Sequence, residues 1–104
     1  MYSIREMSVE FGLTPRTIRF YEQKSLLKPS RDATISNVPR IFNEEDRAQL
    51  AEIVKLTKMG FTLNEIASGD MSADRYRQQL AFCLDQIAEL QEAISLLKER
   101  LRTD

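Results

Sequence analysis

The chain has 104 residues, one cysteine, no histidine and a formal net charge of −1. A lone thiol cannot close an internal disulfide, and zinc held by Cys and His within one chain is excluded, as is histidine acid–base catalysis. No apolar run reaches membrane-spanning length, and Met1-Tyr2-Ser3-Ile4-Arg5 lacks the apolar stretch of a signal peptide, so a cytoplasmic chain with no membrane partner is expected.

Taken in order, the chain first predicts two short helices. Ser3 and Glu6 have capping-box spacing, Ile4, Met7 and Phe11 fall on one face, and Gly12 ends the pattern. Thr14 is a second cap and Pro15 suits the first helical position, opening a helix to about Gln23 with Ile18 turned toward the first. Helix, tight turn, helix is the helix-turn-helix pattern. Arg16, Thr17 and Arg19 crowd the first turns of the second helix, where a recognition helix carries the side chains that reach DNA. Double-stranded DNA is therefore the expected partner.

The charge distribution agrees. Residues 1–42 hold seven Lys or Arg against four Asp or Glu; residues 43–72 hold three against six; residues 73–104 hold five against six. The basic excess sits with the candidate recognition helix, as phosphate attraction requires.

Residues 24–42 read as irregular, with Leu26 and Leu27 as core anchors. Arg40-Ile41-Phe42 alternates like a short strand, so a small β-ribbon, or wing, is expected between about Lys28 and Phe42. Pro29 and Pro39 limit its ladder. Asn43-Glu44-Glu45-Asp46 is a helix start, with a cap and acids over the positive end of the dipole. Leu50, Ile53, Val54, Leu56 and Met59 form its apolar stripe, and Gly60 fits the residue past its end. Thr62 and Glu65 open another short helix that closes at Ser68-Gly69, giving a second helix pair.

From about Ser72 to Arg102 the pattern is one uninterrupted helix. Tyr76, Leu80, Cys83, Ile87, Leu90, Ile94, Leu97 and Leu101 alternate in steps of four and three, a coiled-coil seam. Homodimerisation through this C-terminal helix is expected, with Cys83 as a small buried seam residue. The flanking positions are mostly uncharged, so charge pairing does not set strand orientation. Phe82 and Leu96 lie outside the seam and are expected to cover another surface. No nucleophile–base pair, metal cluster or phosphate loop is visible, so neither an enzyme nor a cofactor is expected.

At this point the order of elements resembles the MerR family of bacterial transcription regulators. The similarity is carried by Tyr2-Ser3-Ile4-Arg5-Glu6-Met7, by Gly12-Leu13-Thr14-Pro15-Arg16-Thr17-Ile18-Arg19-Phe20-Tyr21-Glu22, by Leu26-Leu27-Lys28-Pro29 and Arg40-Ile41-Phe42, and by Glu44-Glu45-Asp46 through Met59-Gly60-Phe61-Thr62-Leu63-Asn64-Glu65-Ile66. The resemblance implies a mainly α fold. Residues 1–70 would be a winged helix-turn-helix DNA-binding domain with a second helix pair, and residues 71–104 a long coiled-coil dimerisation helix that pairs antiparallel.

It also implies a pseudo-palindromic promoter operator, distorted by the homodimer so that RNA polymerase, a further implied partner, can use it. By position, Arg16, Thr17, Arg19 and Phe20 fall on the DNA-facing side, Tyr21 matches an aromatic that contacts the backbone, Arg40 matches a wing arginine, and Lys28 and Arg31 lie where the wing approaches phosphates. Val38-Pro39 replaces the family's usual Gly-Tyr, and Phe20 replaces a common tyrosine, each losing a hydroxyl. The chain stops at Asp104 without the family's effector domain or metal loop, so no small-molecule effector is expected. Two other readings stay open from the sequence: an architectural or excisionase-like DNA-bending protein, and a partner-dependent interaction module built on the coiled coil.

Overall fold

A computed structural model of the chain describes residues 1–27 and 41–102. Within them the elements run β1 (Tyr2–Ser3), α1 (Ile4–Phe11), α2 (Pro15–Gln23), β2 (Ile41–Phe42), α3 (Glu44–Lys58), α4 (Leu63–Ser68) and α5 (Ala73–Arg102). Each helix begins where a side chain can take an otherwise unpaired backbone N–H. Ser3 Oγ accepts from the Glu6 N–H at 3.1 Å while Glu6 Oε1 accepts from the Ser3 N–H at 3.0 Å. Asn43 with Asp46, and Thr62 with Glu65, form the same reciprocal boxes at α3 and α4. Thr14 Oγ1 caps α2 through the Thr17 N–H at 3.1 Å, with Pro15 at the first helical position. The acids Glu44, Glu45 and Asp46 crowd the first turn of α3, and Lys55 and Lys58 its last, complementing the helix dipole.

α1, α2 and α3 end alike. A residue in the left-handed region follows each: Gly12 at φ 67°, Ser25 at φ 60° and Gly60 at φ 98°. The next N–H then reaches back five residues: Leu13 to Ser8 O at 3.0 Å, Leu26 to Tyr21 O at 2.9 Å, Phe61 to Leu56 O at 3.2 Å. This six-to-one bond closes the helix and folds the following apolar residue back over it. Leu13 and Leu26 thereby pack against the core, and Phe61 is buried. Serine pays strain at such a position that glycine does not.

The core is formed by Met7, Ile18, Tyr21, Leu27, Phe42, Leu50 and Ile53, edged by Tyr2, Ile4, Phe11, Leu13, Leu26 and Leu63. Each fully buried aliphatic or aromatic side chain contributes about 1.5–3 kcal/mol. The stripe expected on α3 is buried at Leu50, Ile53 and Leu56, half-buried at Val54, and exposed at Met59.

β1 and β2 pair antiparallel, Tyr2 opposite Phe42 and Ser3 opposite Ile41. The described partner of Ile41-Phe42 is thus the N-terminus, a pairing absent from the sequence expectation of a ribbon within residues 28–42. The rest of that expected wing, Lys28 to Arg40, lies outside the described residues. A polar belt reinforces the two-residue ladder. Arg47 Nε donates to both carboxylate oxygens of Glu10, at 2.9 and 2.8 Å, with a further ion pair between Arg47 Nη2 and Glu10. The Arg47 guanidinium also lies 5.5 Å from the Tyr2 ring centre, and the Tyr2 hydroxyl donates to Glu44. The belt ties β1 and α1 to α3 across the sequence.

The chain divides into two compact units, Met1–Gly69 and Asp70–Asp104. The second is built on α5, 30 residues long and so about 45 Å at 1.5 Å per residue. Ser72 Oγ accepts the Arg75 N–H at 3.3 Å, and Arg100 and Arg102 occupy its last turn.

Candidate nucleic-acid interface

The turn Gly12-Leu13-Thr14 sets α2 against α1. Ile18 is fully buried and Tyr21 is 7% exposed, so one face of α2 belongs to the core. The other face follows by helical periodicity: Arg16, Arg19, Phe20 and Gln23, at i, i+3, i+4 and i+7, are all exposed. Thr17 sits half-buried at the edge of this face, beside the cap. The Phe20 ring is 40% exposed, and the Lys24 ammonium lies 5.6 Å from its centre, a cation–π contact that keeps the charge beside the ring. Arg16, Arg19 and Lys24 face one acid in the segment, Glu22. An exposed, net-positive helix face with one aromatic is chemically suited to a polyanion.

Of the residues expected to touch DNA, the structure brings Arg16, Arg19 and Phe20 to one side of α2, with Thr17 at its edge. Tyr21 lies on the inward face, 7% exposed, and belongs to the core cluster with Met7, Leu27 and Phe42. Lys28, Arg31 and Arg40 lie outside the described residues. Lys24 was not among the expected contacts, although its i+4 spacing from Phe20 was the available signal. Among the described residues no group of three or more His, Cys, Asp or Glu could hold a metal ion, and no helix is long and apolar enough to cross a membrane.

On α5 the expected seam residues all lie on the exterior of the single chain. Tyr76 is 39% exposed and Leu101 72%, with Leu80, Ile87, Leu90, Ile94 and Leu97 between them; Cys83 is half-buried. Phe82 and Leu96, expected to cover another surface, are exposed as well.

Away from α2, the polar belt perturbs three groups, among them Arg47, whose guanidinium is shifted upward by its hydrogen bonds to Glu10. The hydrogen bond from Arg47 holds the Glu10 carboxyl below its ordinary value of 4.5, and the bond to Glu44 raises the Tyr2 phenol above 10.0. Both sit at the surface, where Tyr2 holds β1 and Glu10 holds α1 to α3.

A helix-turn-helix whose second helix shows a cationic, partly aromatic outer face defines a DNA-binding protein of the transcription-regulator class. The family model described as "MerR HTH family regulatory protein" matches residues 2–68, and the chain belongs to that family. The mercuric resistance operon regulatory protein of Bacillus cereus is 29% identical, over 99% of this chain and 81% of that one. The HTH-type transcriptional regulator YfmP of Bacillus subtilis is 28% identical, over 96% and 80%. The heavy metal-dependent transcription regulator 2 of Rhizobium meliloti is 30% identical, over 97% and 70%. Among solved structures, the N-terminal part of MtaN, the Bacillus subtilis multidrug transporter activator, superposes with a TM-score of 0.72 over 97% of this chain and 98% of that one, at 23% identity. That likeness confirms the fold: a mainly helical helix-turn-helix unit with a small sheet and a long C-terminal helix.

Proposed function

We propose that this DNA-binding regulator acts as a homodimer that recognises a pseudo-palindromic promoter operator and distorts it, with RNA polymerase as the further partner at the promoter. Residues 1–70 are the DNA-binding domain in this reading, and residues 71–104 the dimerisation helix. The observation that carries it is the uncovered seam of α5. Eight residues in heptad register, most of them large and apolar, lie exposed or half-exposed along one helix. Such a continuous apolar stripe needs a partner, and a second copy supplies an identical one. Two α2 helices related by a two-fold axis then match a two-fold operator, with half-sites about one helical turn or a multiple apart.

Arg16 and Thr17 approach base edges; Arg19 and Lys24 hold the backbone, with the Phe20 ring packed beside the Lys24 ammonium. Arg40, Lys28 and Arg31 add phosphate contacts, and Tyr21 acts chiefly by packing α2 in place. Distortion enters as deformability of the operator, which supplies specificity at bases the protein does not touch.

The test is selection of genomic fragments by the purified chain, then footprinting of the selected DNA at two salt concentrations, with light scattering for the oligomeric state. A protected pseudo-palindrome between promoter elements, bound by a dimer with steep salt dependence, is expected. A monomer with weak, sequence-indifferent binding would overturn the reading.

A further inference from the structure

Thr14 does more than cap α2. Its Oγ1 accepts the Thr17 N–H at 3.1 Å and lies 2.9 Å from Thr17 Oγ1, in a second hydrogen bond. A threonine on a helix divides between two rotamers, because its hydroxyl can bond a carbonyl in the preceding turn. Here the two hydroxyls lie within hydrogen-bond distance of each other, while the Thr14 carbonyl accepts the Ile18 N–H at 3.2 Å. Thr17 lies directly beside Arg16 at the leading end of the exposed face.

We propose that Thr14 is a positioning residue for DNA recognition, holding the Thr17 hydroxyl in place as a preset donor to a hydrogen-bond acceptor on DNA. The inference rests on the reading of α2 as the recognition helix. The donor count closes. Each hydroxyl has one proton to give and can accept. With an acceptor bound, the Thr17 N–H donates to Thr14 Oγ1, the Thr14 hydroxyl donates to Thr17 Oγ1, and the Thr17 hydroxyl donates to the DNA. Each bond polarises the next, and the rotamer is chosen before binding. The acceptor is a phosphate oxygen or a base-edge oxygen or nitrogen, chemistries alike to a hydroxyl donor.

The experiment is a double-mutant cycle with Thr14→Gly and Thr17→Val. Glycine keeps most of the stability of an N-cap but has no hydroxyl; valine keeps the shape of threonine without its donor. The probe is the duplex of highest affinity that the wild-type chain selects from a randomised library, and Tm is measured beside Kd. Each single variant is expected to weaken binding about three- to tenfold, the net weight of one hydrogen bond. The double variant should lose no more than either, and Thr14→Ser should bind like wild type. A loss by Thr17→Val spread evenly over all duplexes identifies a phosphate acceptor, and a loss confined to one base position a base edge. Losses that multiply in the double variant, or a Thr14→Gly variant that lowers Tm with Kd unchanged, would overturn the positioning role alone. A wild-type chain that selects no duplex removes the recognition-helix reading, and this inference with it.

Discussion

Replacing Ser25 by glycine should stabilise the protein, although it deletes a side chain. Ser25 sits at φ 60° just past the Lys24 cap of α2, in the position that Gly12 and Gly60 fill at the ends of α1 and α3. A left-handed backbone costs an L-residue roughly 1–2 kcal/mol, and glycine escapes that cost. Glycine also loosens the unfolded chain, which returns about 0.4–1 kcal/mol. The balance is a gain of about 0.5–1 kcal/mol, or a rise in Tm of roughly 2–6 °C for a domain of this size. The closing bonds, from Leu26 and Leu27 to Tyr21 O at 2.9 and 3.3 Å, use backbone atoms alone and survive the change. Thermal unfolding followed by circular dichroism measures it, at one fixed protein concentration because self-association raises apparent stability. Gly12→Ser is the mirror control. Gly12 stands at φ 67° with nothing within 4 Å of an added Cβ, so its cost is backbone strain alone. Should Gly12→Ser destabilise while Ser25→Gly brings no gain, the account of Ser25 as a strained position is wrong.

Three further outcomes are expected. Arg16→Ala should relax discrimination at one base position by about 1–3 kcal/mol in competition binding, whereas Arg19→Ala should weaken all duplexes alike and flatten the salt dependence; a uniform loss from Arg16→Ala would count against its assigned role. Leu90→Asp, at the middle of the seam, should abolish the dimer in light scattering and leave the core of residues 1–69 folded by circular dichroism; a persisting dimer would place the interface elsewhere. The depressed Glu10 carboxyl contributes stability that is complete above its unfolded pKa near 4.5 and is lost as the pH falls through its lower folded value. Glu10→Gln should therefore be less stable than wild type at neutral pH and converge with it under acid; a constant gap across the titration would show that the ion pair with Arg47 is not its source.

The helical frame was legible because its signals are local. Ser3 with Glu6, Thr14 with Pro15 and Thr62 with Glu65 each declare a helix start within four residues, and Gly12, Gly60 and Gly69 declare ends. The inward face of α2 could be read from Ile18, and the seam of α5 from spacing alone. What escaped notice depends on residues far apart. Nothing near Tyr2 announces a strand, since its partner Phe42 lies 40 positions on and the ladder is two residues long. Arg47 reads as an ordinary helix cation until folding brings it to Glu10 and Tyr2. Tyr21 has a role that the motif did not announce: beside its alignment with a DNA-contacting aromatic, it belongs to the core with Ile18. Ser25 escaped for the opposite reason, because no serine signals a left-handed backbone by itself.

The seam of α5 also bears on dose. Where two chains must meet before an operator is held, occupancy at low expression follows the square of chain concentration, so halving synthesis cuts bound operator about fourfold. Unpaired chains would also display the apolar seam to quality-control proteases, which would steepen that dependence on chain concentration.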